Sequence, residues 1–180
     1  MLLVVAATSG ELVGADGVAT LVCGVGPVEA AVRTAAELAR SRPRAVLHVG
    51  VAGARTFDQP SFVVGSEAVY CDADDARWIE LRVEPDDRLV ARALGALPAA
   101  HLAPIGTTAR VGGSSGCEIE AMEGYAVLRA SALAAVPAVE VRVVANAIGE
   151  TDRSRWRLDE ARAALAGALP RLVEELGADT

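Results

Sequence analysis

Apolar, β-branched runs alternate with segments of helical spacing along this chain, the pattern of an α/β domain on a largely parallel sheet. LLVVAA (2–7) and VATLVCG (18–24) read as strands joined by the polar stretch TSGELVGADG (8–17). PVEAAVRTAAELARSR (27–42) carries apolar residues at helical intervals, with Pro27 suited to the first turn. A strand, AVLHVG (45–50), should end in a small-residue turn, VAGA (51–54), and FVVGSEAVY (62–70) is again a strand. After the loop DADDAR, the pattern predicts a strand in RWIELRVE (77–84), a helix over 86–97 and an extended HLAPIGTTARV (101–111). GGSSG (112–116) is a loop, residues 123–136 a helix, and AVEVRVVAN (138–146) a buried strand. Residues 158–176 close the chain as a helix that Pro170 should kink or break. The expected fold is one domain over 1–180: a mixed, mostly parallel, twisted sheet flanked by helices.

Composition narrows the chemistry. The 180 residues are 52% hydrophobic but only 3% aromatic, so Ala, Val and Leu must fill the core. The apolar runs are too short and too broken to span a bilayer, and the first residues lack the basic start of a signal peptide. Cys23, Cys71 and Cys117 are scattered, which suits a reduced cytoplasmic protein and argues against a disulfide framework or a zinc site. A formal net charge of −7 disfavours nucleic acid and anionic membrane as partners. All 17 basic residues are Arg. The absence of Lys removes the P-loop lysine and Schiff-base chemistry together.

Two tempting motifs fail. GVGPVEA (24–30) follows a strand and opens a helix, but Glu29 stands where a dinucleotide fingerprint needs its third small residue. A tight strand-to-helix turn is the better reading. GGSSG fits the nucleophile elbow, yet both histidines, His48 and His101, precede Ser114, whereas that elbow requires its histidine later. His48, inside an apolar strand, reads as a satisfied core residue.

Three polar features remain. Glu11 lies just beyond the first strand, IEAMEG (119–124) sets Glu120 and Glu123 around Met122, and Asn146 interrupts the most apolar late strand. Each has a bland reading as a turn or first-turn residue. Together they place carboxylates and an amide at the carboxyl ends of strands in one sheet. Cleavage of a glycosidic bond needs such groups: a base for water, an acceptor for sugar hydroxyls, and a group to steady the leaving base.

VVAATSGEL, LVCGVGPVEAA, LHVGVAGA, VVGSEAVYCDAD, IEAMEG and VRVVANAIGETDRSRW together resemble the nucleoside phosphorylase and nucleosidase superfamily over nearly the whole chain. Within it, the likeness is to the futalosine hydrolases of the alternative menaquinone pathway. The resemblance implies Glu11 and Asn146 as catalytic residues, with Glu11 activating the attacking water. It implies Met122 and Glu123 against the ribose, and Val51, Ala52 and Gly53 along the substrate. It implies no metal or organic cofactor, a small-molecule nucleoside as partner, and a homodimer.

Asn146 falls where adenosine-type nucleosidases carry an Asp. An Asp can share a proton with N7 of adenine, whereas a 6-oxopurine presents acceptors at both N7 and O6. A carboxamide can donate to them, so the implied substrate is futalosine, releasing hypoxanthine. A phosphorylase would hold phosphate with Arg near the first-strand loop. TSGELVGADG contains none, Val51 stands where a hydroxyl would serve, and Arg55 follows shortly after. Water is the expected nucleophile; a purine nucleoside phosphorylase and a non-catalytic nucleoside binder are the alternatives. Two departures from the family stand out. Only GGSSGC occupies the usual insertion before IEAMEG, and Tyr125 should crowd the site beside Glu123. Asp152, Arg153 and Trp156 are expected to pin the loop after Asn146.

Overall fold

A strand-rich centre follows directly from those β-branched runs. The computed structural model describes residues 1–112 and 115–178. In chain order the elements are β1 (Leu2–Ala6), β2 (Ala19–Val22), α1 (Pro27–Ser41), β3 (Ala45–Ala54), β4 (Phe62–Tyr70) and β5 (Arg82–Val83). They continue with α2 (Asp87–Ala96), β6 (His101–Thr107), β7 (Ile119–Ala121), α3 (Gly124–Leu133), β8 (Ala138–Ala147) and α4 (Leu158–Gly177). The expected α/β class with a mixed, mostly parallel sheet is what forms. β1 pairs in parallel with β2 and β3, β3 with β8, β4 with β6, and β6 with β7. The β3–β7, β4–β5 and β4–β8 pairs are antiparallel.

The sheet curls further than a twisted layer. Because β8 pairs with both β3 and β4 while β7 joins β3 to β6, the strands β3, β8, β4, β6 and β7 close a ring. Closure leaves only β2 and β5, outside the ring, as edge strands among the described residues. One apolar face, with Val49, Val141 and Val143, packs under Leu165, Leu169 and Leu172 of α4 and Leu89 and Ala93 of α2. On the other side, Leu3, Val5 and Val46 meet Ala30 and Leu38 of α1 and Val127 and Leu128 of α3. β1, β3 and β8 are buried on both faces along most of their length, and their alternate side chains thus serve two helical layers.

Local chemistry sets the helix starts. Asp86 caps α2, its Oδ1 accepting from the N–H groups of Arg88 and Leu89 at 3.0 and 3.1 Å. Gly24 and Gly26 turn the chain at φ 85° and 90°, and Pro27 opens α1, so GVGPVEA is the strand-to-helix turn expected.

Two element predictions need correction, and a third is narrowed. VAGA is no turn: β3 runs through to Ala54 because β8 and β7 flank it to that point. Of RWIELRVE only Arg82–Val83 is strand, since Ala68 and Val69 of β4 pair with no more of it. Pro170 does not break α4, which is continuous from Leu158 to Gly177. Proline removes the N–H that would serve the carbonyl four residues back, here Ala166. Gly14 packs there instead; a methyl group on it would stand 2.4 Å from that oxygen.

Candidate active site

Glu11 owes its place to a short 3-10 turn, Ser9–Glu11, that follows β1. Its side chain is buried at 4% exposure and held by three donors. Oε2 accepts from the Thr8 N–H at 3.0 Å and from the Thr8 hydroxyl at 2.7 Å. Oε1 accepts from the Val51 N–H at 3.0 Å. The carboxylate is thereby fixed against the carboxyl half of β3.

Glu123 stands at the junction of β7 and α3, also 4% exposed. It does not cap its own helix. Its Oε1 instead accepts from the Gly26 N–H at 3.0 Å, so the glycine turn before α1 anchors it. Its Oε2 lies 3.6 Å from Arg142 Nη2.

Asn146 depends on an irregularity. The register of β3 with β8 steps from Ala52–Val144 to Gly53–Asn146. This bulge puts Asn146, rather than Ala145, opposite Gly53, an example of a bulge re-aiming a side chain. Asn146 Nδ2 sits 2.9 Å from where a Gly53 methyl would be, so a side chain there would displace the amide. The amide donates to the carbonyl of Ala147 at 3.0 Å. Its backbone is strand, not the left-handed turn of the bland reading.

These side chains line one cavity of about 390 Å³. All seven residues singled out in the sequence, Glu11, Val51, Ala52, Gly53, Met122, Glu123 and Asn146, border it. Thr8, Glu120, Arg110, Arg153, Trp156 and Arg162 border it as well. Glu120 accepts from the Ser115 hydroxyl at 2.8 Å. Asp152 caps the turn Arg153–Arg155 through the Ser154 N–H at 3.0 Å, and the Trp156 indole N–H reaches the Glu150 carbonyl at 3.0 Å. Those contacts pin the loop after Asn146.

One expectation about the surroundings changes, and a point left open about Arg55 closes. Tyr125 does not crowd the cavity: it stacks on Tyr70 at 5.1 Å and its hydroxyl donates to the Glu80 carbonyl, away from the lining. Arg55 does not face the cavity either; it ties the Ser115 and Cys117 carbonyls. Ser114 lies outside the described residues.

Beneath the cavity floor runs a polar network that the sequence reading passed over. Arg142, in the middle of β8, is fully buried. Its Nε donates to Glu140 Oε1 at 2.7 Å, and its Nη2 meets His48 Nε2 at 2.5 Å. The other ring nitrogen of His48 lies 3.0 Å from the Val5 carbonyl, so Nδ1 carries the proton and Nε2 accepts. Burial, then the Arg142 charge, holds His48 well below the ordinary histidine range, which keeps that acceptor neutral. Burial pushes the Glu140 carboxyl up, against the pull of Arg142. Burial also opposes the Arg142 charge, but Glu140 and Glu123 outweigh it and keep the guanidinium ionised.

Two glycines make room for this network. A methyl on Gly50 would stand 2.3 Å from Arg142 Nη1 and 2.9 Å from Glu11 Oε1. One on Gly124 would stand 2.2 Å from Glu140 Oε2. A signal did exist: Glu140 and Arg142, two apart in an apolar strand, must share a face, and opposite charges on a buried face are paired.

Chemically, the cavity offers three fixed carboxylates, those of Glu11, Glu120 and Glu123, a guanidinium behind Glu123 and an amide. Among the described residues no cluster of three or more His, Cys, Asp or Glu could hold a metal ion, and no helix is long and apolar enough to cross a membrane.

Comparison with known proteins shows the family of the chain. The sequence model of the phosphorylase superfamily matches residues 5–176. A futalosine hydrolase of Streptomyces coelicolor is 35% identical over 189 residues, which cover 89% of this chain and 80% of that protein. Among solved structures, futalosine hydrolase of Helicobacter pylori superposes with a TM-score of 0.88 at 16% identity, covering 97% of each chain. An MTA/SAH nucleosidase of Streptococcus pneumoniae, in complex with 8-aminoadenine, gives 0.85 at 19% identity, covering 97% of this chain and 99% of that one. These two likenesses concern the fold.

Proposed function

The chain belongs to the phosphorylase superfamily and is a nucleosidase hydrolysing N-glycosyl bonds; from that premise we propose a 6-oxopurine nucleoside, futalosine first, as its substrate. The observation that carries the reading is the convergence of Glu11, Glu123 and Asn146 on one cavity, from segments far apart in the chain. The relationship to the Streptomyces coelicolor enzyme supports the choice of nucleoside.

Glu11 acts as the base that takes a proton from the attacking water. Its three hydrogen bonds hold it in one orientation, which is what a positioned base requires. Glu123 accepts from the sugar hydroxyls, with Met122 against the ring and Val51, Ala52 and Gly53 along the ligand. Its negative charge also favours the cation-like sugar of the transition state. Asn146 donates to the acceptor edge of the base as it leaves. A buried mismatch there costs a few kcal/mol, enough to separate 6-oxo from 6-amino purines.

The reading needs no metal or organic cofactor. It carries with it a cytoplasmic enzyme of menaquinone biosynthesis that works as a homodimer. The test is hypoxanthine release from futalosine, followed by chromatography, in phosphate-free buffer and again with added phosphate. Release without phosphate supports hydrolysis. Release only with phosphate makes the enzyme a phosphorylase, and no release in either buffer refutes the substrate.

A further inference from the structure

Arg162 projects from α4 to the cavity wall. Its Nε is buried and has no hydrogen-bond partner, and it lies 3.7 Å from where a Gly10 methyl would stand. An arginine so placed is unusual, because a buried N–H left unpaired costs free energy. The arginines nearest it in sequence are used otherwise: Arg155 pairs with Glu150 and Asp152, and Arg157 with Glu160. Among the described residues, Arg162 has no carboxylate partner, and neither do Arg110 and Arg153, which border the same cavity.

The charge distribution sharpens the point. Glu11, Glu120 and Glu123 also border the cavity, and such a floor alone would repel an anion. Each of the three is engaged, by Thr8 and Val51, by Ser115, and by Gly26 and Arg142. None takes Arg162. The guanidinium is therefore a free fork beside the first-strand loop, at the Gly10 side, whereas Asn146 lies beside Gly53.

We propose that Arg162, with Arg110 and Arg153 bordering the same cavity, forms an anion subsite of this cavity and binds a carboxylate or phosphate-type group. The inference rests on the nucleoside reading above for the identity of the rest of the ligand. Two sources supply such a group. One is an anionic substituent carried by the nucleoside outside its base; the other is free phosphate. The second source bears on the choice between water and phosphate as nucleophile, since TSGELVGADG contains no Arg of its own and α4 delivers one to it.

The Glu11→Gln protein, whose turnover should fall by about 10²- to 10⁴-fold, is titrated by calorimetry with inosine and with inosine oxidised to a carboxylate at its 5′ carbon. A charge-assisted pair of this kind is worth about 10- to 100-fold in affinity. The carboxylate should bind tighter by that factor. Adding Arg162→Gln should bring the ratio close to one, and adding Arg162→Lys should leave it between. A ratio that Arg162→Gln does not move, with phosphate dependence also unmoved, overturns the proposal. In the second arm, hypoxanthine release is measured against inorganic phosphate for the otherwise unaltered enzyme and for Arg162→Gln. Release that needs phosphate, with a phosphate KM at least about tenfold higher in the variant, identifies phosphate as the anion. That outcome keeps the subsite and refutes hydrolysis. A calorimetric ratio that depends on Arg162 in a protein releasing no hypoxanthine refutes the substrate reading and leaves the subsite standing.

Discussion

Replacing Arg142 with Met leaves the carboxylates of Glu140 and Glu123 without the guanidinium between them. The side chains of Arg142 and Glu140 are 1% and 0% exposed, so water cannot take its place. Breaking a buried pair by removing one partner costs about 3–5 kcal/mol. For a chain of this size that corresponds to a fall in Tm of roughly 6–20 °C. The loss should depend on pH with a defined sign. Glu140 sits above its ordinary value through burial, opposed by Arg142. A carboxyl raised in the folded state binds its proton more readily there than when unfolded. Stability is then greatest below the unfolded pKa and is lost as pH rises through the folded one. Removing Arg142 takes away the opposing pull and raises Glu140 further, so the gap between the two proteins should be widest near pH 8 and narrow on acidification. Thermal unfolding followed by circular dichroism between about pH 5 and pH 8 measures it. The double variant Arg142→Met, Glu140→Leu should recover part of the loss, since an apolar pair needs no compensation. A destabilisation below about 1 kcal/mol at pH 8, or a gap that ignores pH, would refute the account of this network.

Further outcomes follow from the cavity. Glu11→Gln should lower kcat for hypoxanthine release by about 10²- to 10⁴-fold, the range for a positioned base, while nucleoside affinity measured by calorimetry persists; undiminished turnover would remove Glu11 from the chemistry. Asn146→Asp should move the kcat/KM preference from 6-oxo toward 6-amino purine nucleosides, and an unchanged preference between inosine and adenosine counts against the amide as base reader.

Much of the fold was legible because it follows from periodicity. The Val-rich runs at 2–7, 45–50, 62–70 and 138–146 form β1, β3, β4 and β8, and Pro27 and Asp86 mark helix starts by local stereochemistry and capping. The sequence read alone also drew attention to Glu11, Glu123 and Asn146, since isolated polar residues at strand ends are costly unless used. Other features depended on partners distant in the chain. The ring closes because β8 reaches both β3 and β4, and no local pattern encodes which strand a buried run will choose. Pro170 does not break α4, and the local rule could not choose between a kink and a break.

The cavity itself divides the same way. Residue type and position along the chain determined which groups could do glycosidic chemistry, because a carboxylate or an amide carries its capacity with it. Tertiary structure alone decided their surroundings: the bulge that sets Asn146 against Gly53, the Gly26 N–H under Glu123, and the guanidinium of Arg142 between Glu123, Glu140 and His48. It also brought Arg162 of α4 to the Gly10 loop, across about 150 residues of chain. Charge and hydrogen bonding act over a few ångströms of space, and sequence distance says little about which groups will come that close.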